Sequence, residues 1–127
     1  MAETILIIDD DIDFLPQIED ILSEQGYHIM TSNSGYNGIR MAKTYQPDLI
    51  ILDINMPILD GFRALEHIRK TQETAQTPVL LLTGSELKDV QKFISTDKGV
   101  YYLKKPIQPD SLYAAVRNTL KTSKKVA

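Results

Sequence analysis

The chain is built on short apolar runs that no polar residue interrupts. Thr4 to Ile8, Asp48 to Asp53, Val79 to Thr83 and Val100 to Leu103 are rich in Ile, Leu and Val, and His28 to Thr31 is a weaker run of the same kind. A strand with one wet face alternates apolar and polar side chains, whereas an unbroken run marks a strand buried on both faces. Between the runs, apolar residues recur at helical spacing: Phe14, Ile18, Ile21 and Leu22; Ile39 and Ala42; Phe62, Leu65 and Ile68; Leu87, Val90 and Ile94; Leu112, Val116 and Leu120. Strands that alternate with helices pair in parallel, because each crossover needs a helix and is right-handed. The expected fold is α/β, a doubly wound five-stranded parallel sheet of order 2-1-3-4-5 with helices on both faces.

Local signals punctuate these elements. Asp11 or Asp13 can cap the first helix and Gly26 can end it, while Pro16 is tolerable in a first turn whose N–H groups have no intrahelical partner. Ser34 is the expected cap of a helix from Gly35 to about Tyr45, weakened by roughly 1 kcal/mol at Gly38. Asp60 and Gly61 read as a turn, Ser85 as the cap of the fourth helix, and Pro109 with Asp110 as the start of the fifth. From Lys121 the chain is small, polar and basic, so the expected domain is 1–121, with 122–127 a tail or the start of a linker.

Composition excludes several classes. At 127 residues the chain is one domain, large enough to bury a core, and without cysteine it has neither disulfides nor thiolate metal sites. A net charge of -3 gives no reason to expect a nucleic-acid surface. The apolar runs are too short to cross a bilayer and Met1 to Thr4 has no signal-peptide pattern, so a cytoplasmic location with no membrane contact is expected.

In a doubly wound sheet the ligand site lies outside the carboxyl ends of the strands, beside the switch point. Asp9 and Asp10, Asp53, Thr83 and Lys105 follow strands one, three, four and five. Singly, each has an ordinary reading: helix caps for Asp9 to Asp11, a turn former for Asp53, a strand-end hydroxyl for Thr83, a surface lysine for Lys105 and a rim aromatic for Tyr102. Together they form a chemical set. Two carboxylates about 4 Å apart repel by roughly 4 kcal/mol at an effective dielectric near 20, so three of them demand a cation. Oxygen ligands that leave room for waters and a phosphate suit Mg²⁺. Lys105 adds a mobile positive charge, Thr83 a hydroxyl donor and Gly84 an approachable backbone N–H. Such a site neutralises a transferring phosphoryl group with a carboxylate as nucleophile.

From about Thr4 to Leu120 the sequence resembles the receiver domains of two-component response regulators, the chemotaxis regulators among them. The resemblance rests on I-L-I-I-D-D-D from Ile5, L-D-I-N-M-P-I-L-D-G from Leu52, L-L-T-G from Leu81 and Y-L-K-K-P from Tyr102, in that order. It implies a flavodoxin-like sheet and phosphorylation of Asp53 by a histidine kinase or phosphotransfer protein. It also implies Mg²⁺ held by Asp10 and Asp53, by Asp9 through water and by the Asn55 backbone carbonyl. Thr83 and Lys105 would hold phosphoryl oxygens together with the backbone at Asn55 and Gly84. Tyr102 would be the aromatic switch that follows Thr83, and Lys105–Pro106 a cis peptide.

The implied protein is no enzyme in the turnover sense, since it assists only its own phosphorylation and dephosphorylation. Its output would pass through the face of the fourth helix, fifth strand and fifth helix to a protein partner or a second copy. Lys98 and Gly99 before the last strand, and Phe93, Ile94, Ser95 and Thr96 in the helix before it, depart from the family pattern and bear on that surface. The main rival is a phosphorylation-independent pseudo-receiver. An aspartyl-phosphate hydrolase is disfavoured by Asp13 in its motif and by the lack of a cap domain, and an EF-hand by Phe14 where glycine is needed. Met1 fits a natural start, and the tail fits either an end or a severed linker.

Overall fold

A computed structural model describes residues 2–54, 61–84 and 99–126. Five strands, β1 (Thr4–Ile8), β2 (His28–Ser32), β3 (Leu49–Asp53), β4 (Val79–Thr83) and β5 (Val100–Lys104), form one sheet in the order β2-β1-β3-β4-β5. Every pairing is parallel. The expected topology is the one observed.

The unbroken apolar runs are explained by two cores, one on each face of the sheet. Leu6, Ile8, Ile50, Leu52, Val79 and Leu81 face one way, against Ala42 of α2 (Gly35–Tyr45) and Ala64, Leu65 and Ile68 of α3 (Gly61–Lys70). Ile5, Ile7, Leu49, Ile51, Leu80 and Leu82 face the other way. They meet Leu15, Ile18 and Leu22 of α1 (Phe14–Ser23) and Leu112, Val116 and Leu120 of the C-terminal helix (Pro109–Val126). The alternation along each strand follows from the period of two, so a one-residue slip would exchange the two cores.

Several boundaries differ from expectation for local reasons. Asp48 lies outside β3, where its carboxylate accepts the Thr4 amide at 2.8 Å and fixes the entry to the first strand. Gly61 is the first residue of α3 rather than part of a turn, and its amide donates to the Ile54 carbonyl at 2.9 Å. Asp11, not Asp13, caps α1, its carboxylate accepting from the amides of Asp13 and Phe14 at 3.0 and 3.2 Å. Ser34 caps α2 by accepting from Asn37, and Gly26 has φ +90, as expected of a helix stop. The C-terminal helix runs over Pro109–Val126. The expected fourth helix, with Ser85, Leu87, Val90 and Ile94, lies outside the described residues, as do Asn55 and Asp60.

Candidate functional site

Strand register builds the site. Ile8 pairs with Leu52, so Asp9 and Asp53 follow side by side; Asp53 itself pairs with Leu82, and Thr83 with Lys104. The ladder runs one step past the strands: the Asp9 amide donates to the Ser32 carbonyl at 3.0 Å, Ile54 to Leu82 at 3.1 Å and Lys105 to Thr83 at 2.7 Å. Asp9, Asp53, Thr83 and Lys105 are therefore fixed by backbone hydrogen bonds on one rim of the sheet, where β1 and β3 part the connections to opposite faces. The Lys105–Pro106 peptide is cis, as the resemblance implies.

The side chains converge. Asp9, Asp10 and Asp53 each present a carboxylate oxygen within 4.8 Å of the others. Asp9 and Asp53 are buried, at 1% and 3% exposure, while Asp10 is exposed and open to an arriving ion. Lys105 Nζ lies 3.3 Å from Asp53 Oδ1 and 4.0 Å from Asp9 Oδ2. The same ammonium stands over the Phe14 ring, 5.1 Å from its centroid.

Asp9 carries the electrostatic tension. Its Oδ1 accepts the Asp11 amide at 3.0 Å, and among the described residues its Oδ2 is buried without a hydrogen-bond donor. Burial pushes this carboxyl up to about 7 from an ordinary 3.8, opposed by the Asp11 amide, raised further by the Asp53 charge and opposed again by Lys105. A buried carboxylate oxygen with no donor is a ligand atom awaiting a cation or a proton. The donor set is all oxygen and two of its carboxylates are buried, so its chemistry suits a hard divalent cation. No described helix is long and apolar enough to cross a membrane.

Thr83 is fully buried at the end of β4. Tyr102, half-buried on β5, packs against the core that contains Leu81, its register partner. Thr83 and Tyr102 thus occupy the same face of adjacent strands, two positions out of step. A Cβ added at Gly84 would meet nothing within 4 Å among the described residues. Gly61 is the opposite case: a Cβ there would lie 2.5 Å from Ile54 Cα and 2.7 Å from the Asp53 carbonyl oxygen. Only glycine lets α3 start this close behind Asp53. Neither this wedge nor the ring under Lys105 is visible in sequence spacing, although Phe14 stands in the first turn after the acidic loop, where a side chain can reach the rim.

The response regulator receiver domain model matches residues 5–117 of the chain. Over 128 residues the chain is 37% identical to the DNA-binding dual master transcriptional regulator RpaA of Synechocystis, covering 96% of this chain and 51% of that protein. Over 122 residues it is 34% identical to the probable transcriptional regulator ycf29 of Porphyra purpurea, covering 94% of this chain and 57% of the relative. The chain spans about half the length of the curated relatives it matches. The solved structure of the Vibrio cholerae chemotaxis protein CheY4 superposes with a TM-score of 0.87 at 25% identity, covering 94% of this chain and 99% of that one.

Proposed function

We propose, because this chain belongs to the family of response regulator receiver domains, that it is a phosphorylation switch in which Asp53 is the phosphoacceptor. The observation that carries the reading is the convergence of Asp9, Asp10 and Asp53, faced by Lys105, on one rim of the sheet. An Asp53 oxygen attacks the phosphorus of a phosphohistidine on a histidine kinase or phosphotransfer protein. The P–N bond breaks, an acyl phosphate forms, and the imidazole leaves with the electron pair and takes up a proton. Mg²⁺, when bound by Asp10, Asp53, the Asn55 carbonyl and Asp9 through water, supplies neutralising charge for this transfer. Lys105 and the Thr83 hydroxyl hold phosphoryl oxygens, with the amides of Asn55 and Gly84 as further donors.

The added charge, about -1.5 to -2 for a phosphate group, biases the domain between two arrangements. Moving from mostly off to mostly on takes roughly 5.5 kcal/mol, which two or three charge-assisted bonds can supply. The shared face of Thr83 and Tyr102 supports a relay from the phosphate to β5. The output face of fourth helix, β5 and C-terminal helix would then bind a protein partner or a second copy, in the cytoplasm. The chain corresponds to about half of relatives named as transcriptional regulators. In such a regulator its part would be the receiver over 1–121, with 122–127 a C-terminal tail or the start of a linker and DNA left to other segments.

Backbone amide spectra test the switch. Mg²⁺ is expected to shift resonances around Asp9, Asp10 and Asp53, and acetyl phosphate to add a second set that includes Tyr102. Asp53→Asn removes the second set, and Thr83→Ala keeps the shifts at Asp53 but loses those at Tyr102. A wild-type spectrum indifferent to both additions makes the phosphorylation-independent interaction module the better reading.

A further inference from the structure

The contact between Lys105 and Phe14 has no place in the chemistry described so far. Phe14 opens α1, is half-buried, and packs at the edge of the core that contains Leu15 and Ile18. Its ring lies 5.1 Å from Lys105 Nζ, inside the range of roughly 6 Å over which a ring face attracts an ammonium. Lys105 is tethered through a flexible stem and keeps 30% of its side chain exposed. Its other partners among the described residues are the carboxylates of Asp53 at 3.3 Å and Asp9 at 4.0 Å. Those two groups also belong to the cluster suited to a metal ion. A divalent cation entering the cluster competes with the lysine for the same oxygens. The ring does not take part in that competition, because its quadrupole is indifferent to the charge state of the carboxylates.

We propose that Phe14 is a positioning residue for Lys105: its ring face would hold the ammonium at the rim when a metal ion engages Asp53 and, through water, Asp9, so that the lysine is in place for the incoming phosphoryl group. This deepens the phosphoacceptor reading and rests on it. Without the ring, the released lysine would disperse among its solvent rotamers and have to be gathered again at each transfer, at the entropic cost of ordering a long side chain.

Phe14→Leu keeps an apolar side chain and removes the ring, whereas Phe14→Tyr keeps the ring face. The rate of Mg²⁺-dependent phosphoryl uptake from acetyl phosphate is expected to fall about two- to fivefold in Phe14→Leu, the range of a partly exposed ammonium–ring contact, and to recover in Phe14→Tyr. In a Lys105→Met background the Phe14→Leu change should have no further effect. A merely structural role for Phe14 would instead give the same loss with and without Lys105. In spectra of ¹³C-lysine protein, the Lys105 ε-methylene should be shifted upfield by the ring, remain so at saturating Mg²⁺, and lose the shift in Phe14→Leu. An unshifted methylene, equal losses in both backgrounds, or Phe14→Tyr as slow as Phe14→Leu would overturn the positioning role. Wild-type protein that took no phosphoryl group yet kept the shifted methylene through Mg²⁺ addition would sink the phosphoacceptor reading and uphold the placement of Lys105 by the ring.

Discussion

Replacing Asp9 by asparagine is expected to stabilise the metal-free protein, and the size of the gain should depend on pH. The Asp9 carboxyl is pushed up to about 7 from 3.8, mainly by burial and further by Asp53. Between those two values the unfolded chain has released the proton and the folded chain still holds it. The folded state binds more protons, so stability falls as pH rises through this window. The contribution is whole below pH 3.8 and gone above about 7. A displacement of about three pH units corresponds to on the order of 4 kcal/mol, an upper figure because the buried group relaxes and admits water. Asparagine has nearly the same shape and no charge, so it escapes the loss. Urea unfolding of wild type and Asp9→Asn in chelator, from pH 4.5 to 8.5, reads the combined effect of Asp9 and its interaction with Asp53, since carboxylates remote from the pair cancel in the difference. The curves should already differ by about 1 kcal/mol at pH 4.5, which lies above 3.8, separate steadily through pH 6, and level off above pH 7 with the variant more stable. Mg²⁺ should narrow the gap by stabilising wild type more than the variant, which lacks one carboxylate of the cluster, as expected for a ligand that binds the folded state. A variant equally or less stable than wild type at pH 8.5 in chelator would refute the argument that burial and Asp53 strain the ionised Asp9.

Three further substitutions test the framework around the site. Gly61→Ala should cost about 1–3 kcal/mol by driving a methyl group into Ile54 Cα and the Asp53 carbonyl, and should slow phosphoryl uptake as the Asp53 backbone shifts; an unchanged melting midpoint would contradict the wedge. Asp11→Ala should cost about 1 kcal/mol in urea unfolding through loss of the α1 cap, with phosphoryl uptake unaltered because the Asp11 amide still reaches Asp9. Arg69→Ala should cost about 2 kcal/mol, since its guanidinium donates to the carbonyls of Thr77 at 2.6 Å and of Thr74 and Gly99 at 3.3 Å, tying α3 to the starts of β4 and β5. Equal denaturation midpoints for wild type and Arg69→Ala would show that those carbonyls are served as well by water.

The sheet could be read from sequence because its strands are buried on both faces, which leaves runs such as Leu49–Ile50–Ile51–Leu52 that no amphipathic element would tolerate. The site followed from the same logic, since residues that close short parallel strands in register must meet on one rim. What sequence spacing could not supply was contact between elements. Gly38 read as a weak point of α2, yet a Cβ there would lie 2.6 Å from the Ile8 side chain, so the glycine sets how closely α2 lies on β1. Asp48 looked like the first residue of a strand and is instead a tether to the Thr4 amide. Phe14 fitted a helical core stripe, and only the fold brings it under a lysine from the far side of the sheet. The elevated Asp9 carboxyl likewise depends on a burial that no local pattern encodes.

The central claim is that Asp53 takes a phosphoryl group in a site completed by a divalent cation. Intact mass after incubation with acetyl phosphate, with Mg²⁺ and with chelator, in wild type and Asp53→Asn, tests it most directly. One added phosphoryl group in wild type with Mg²⁺, and none in chelator or in Asp53→Asn, is the expected result. The same mass gain in Asp53→Asn, or in wild type with chelator, would contradict it.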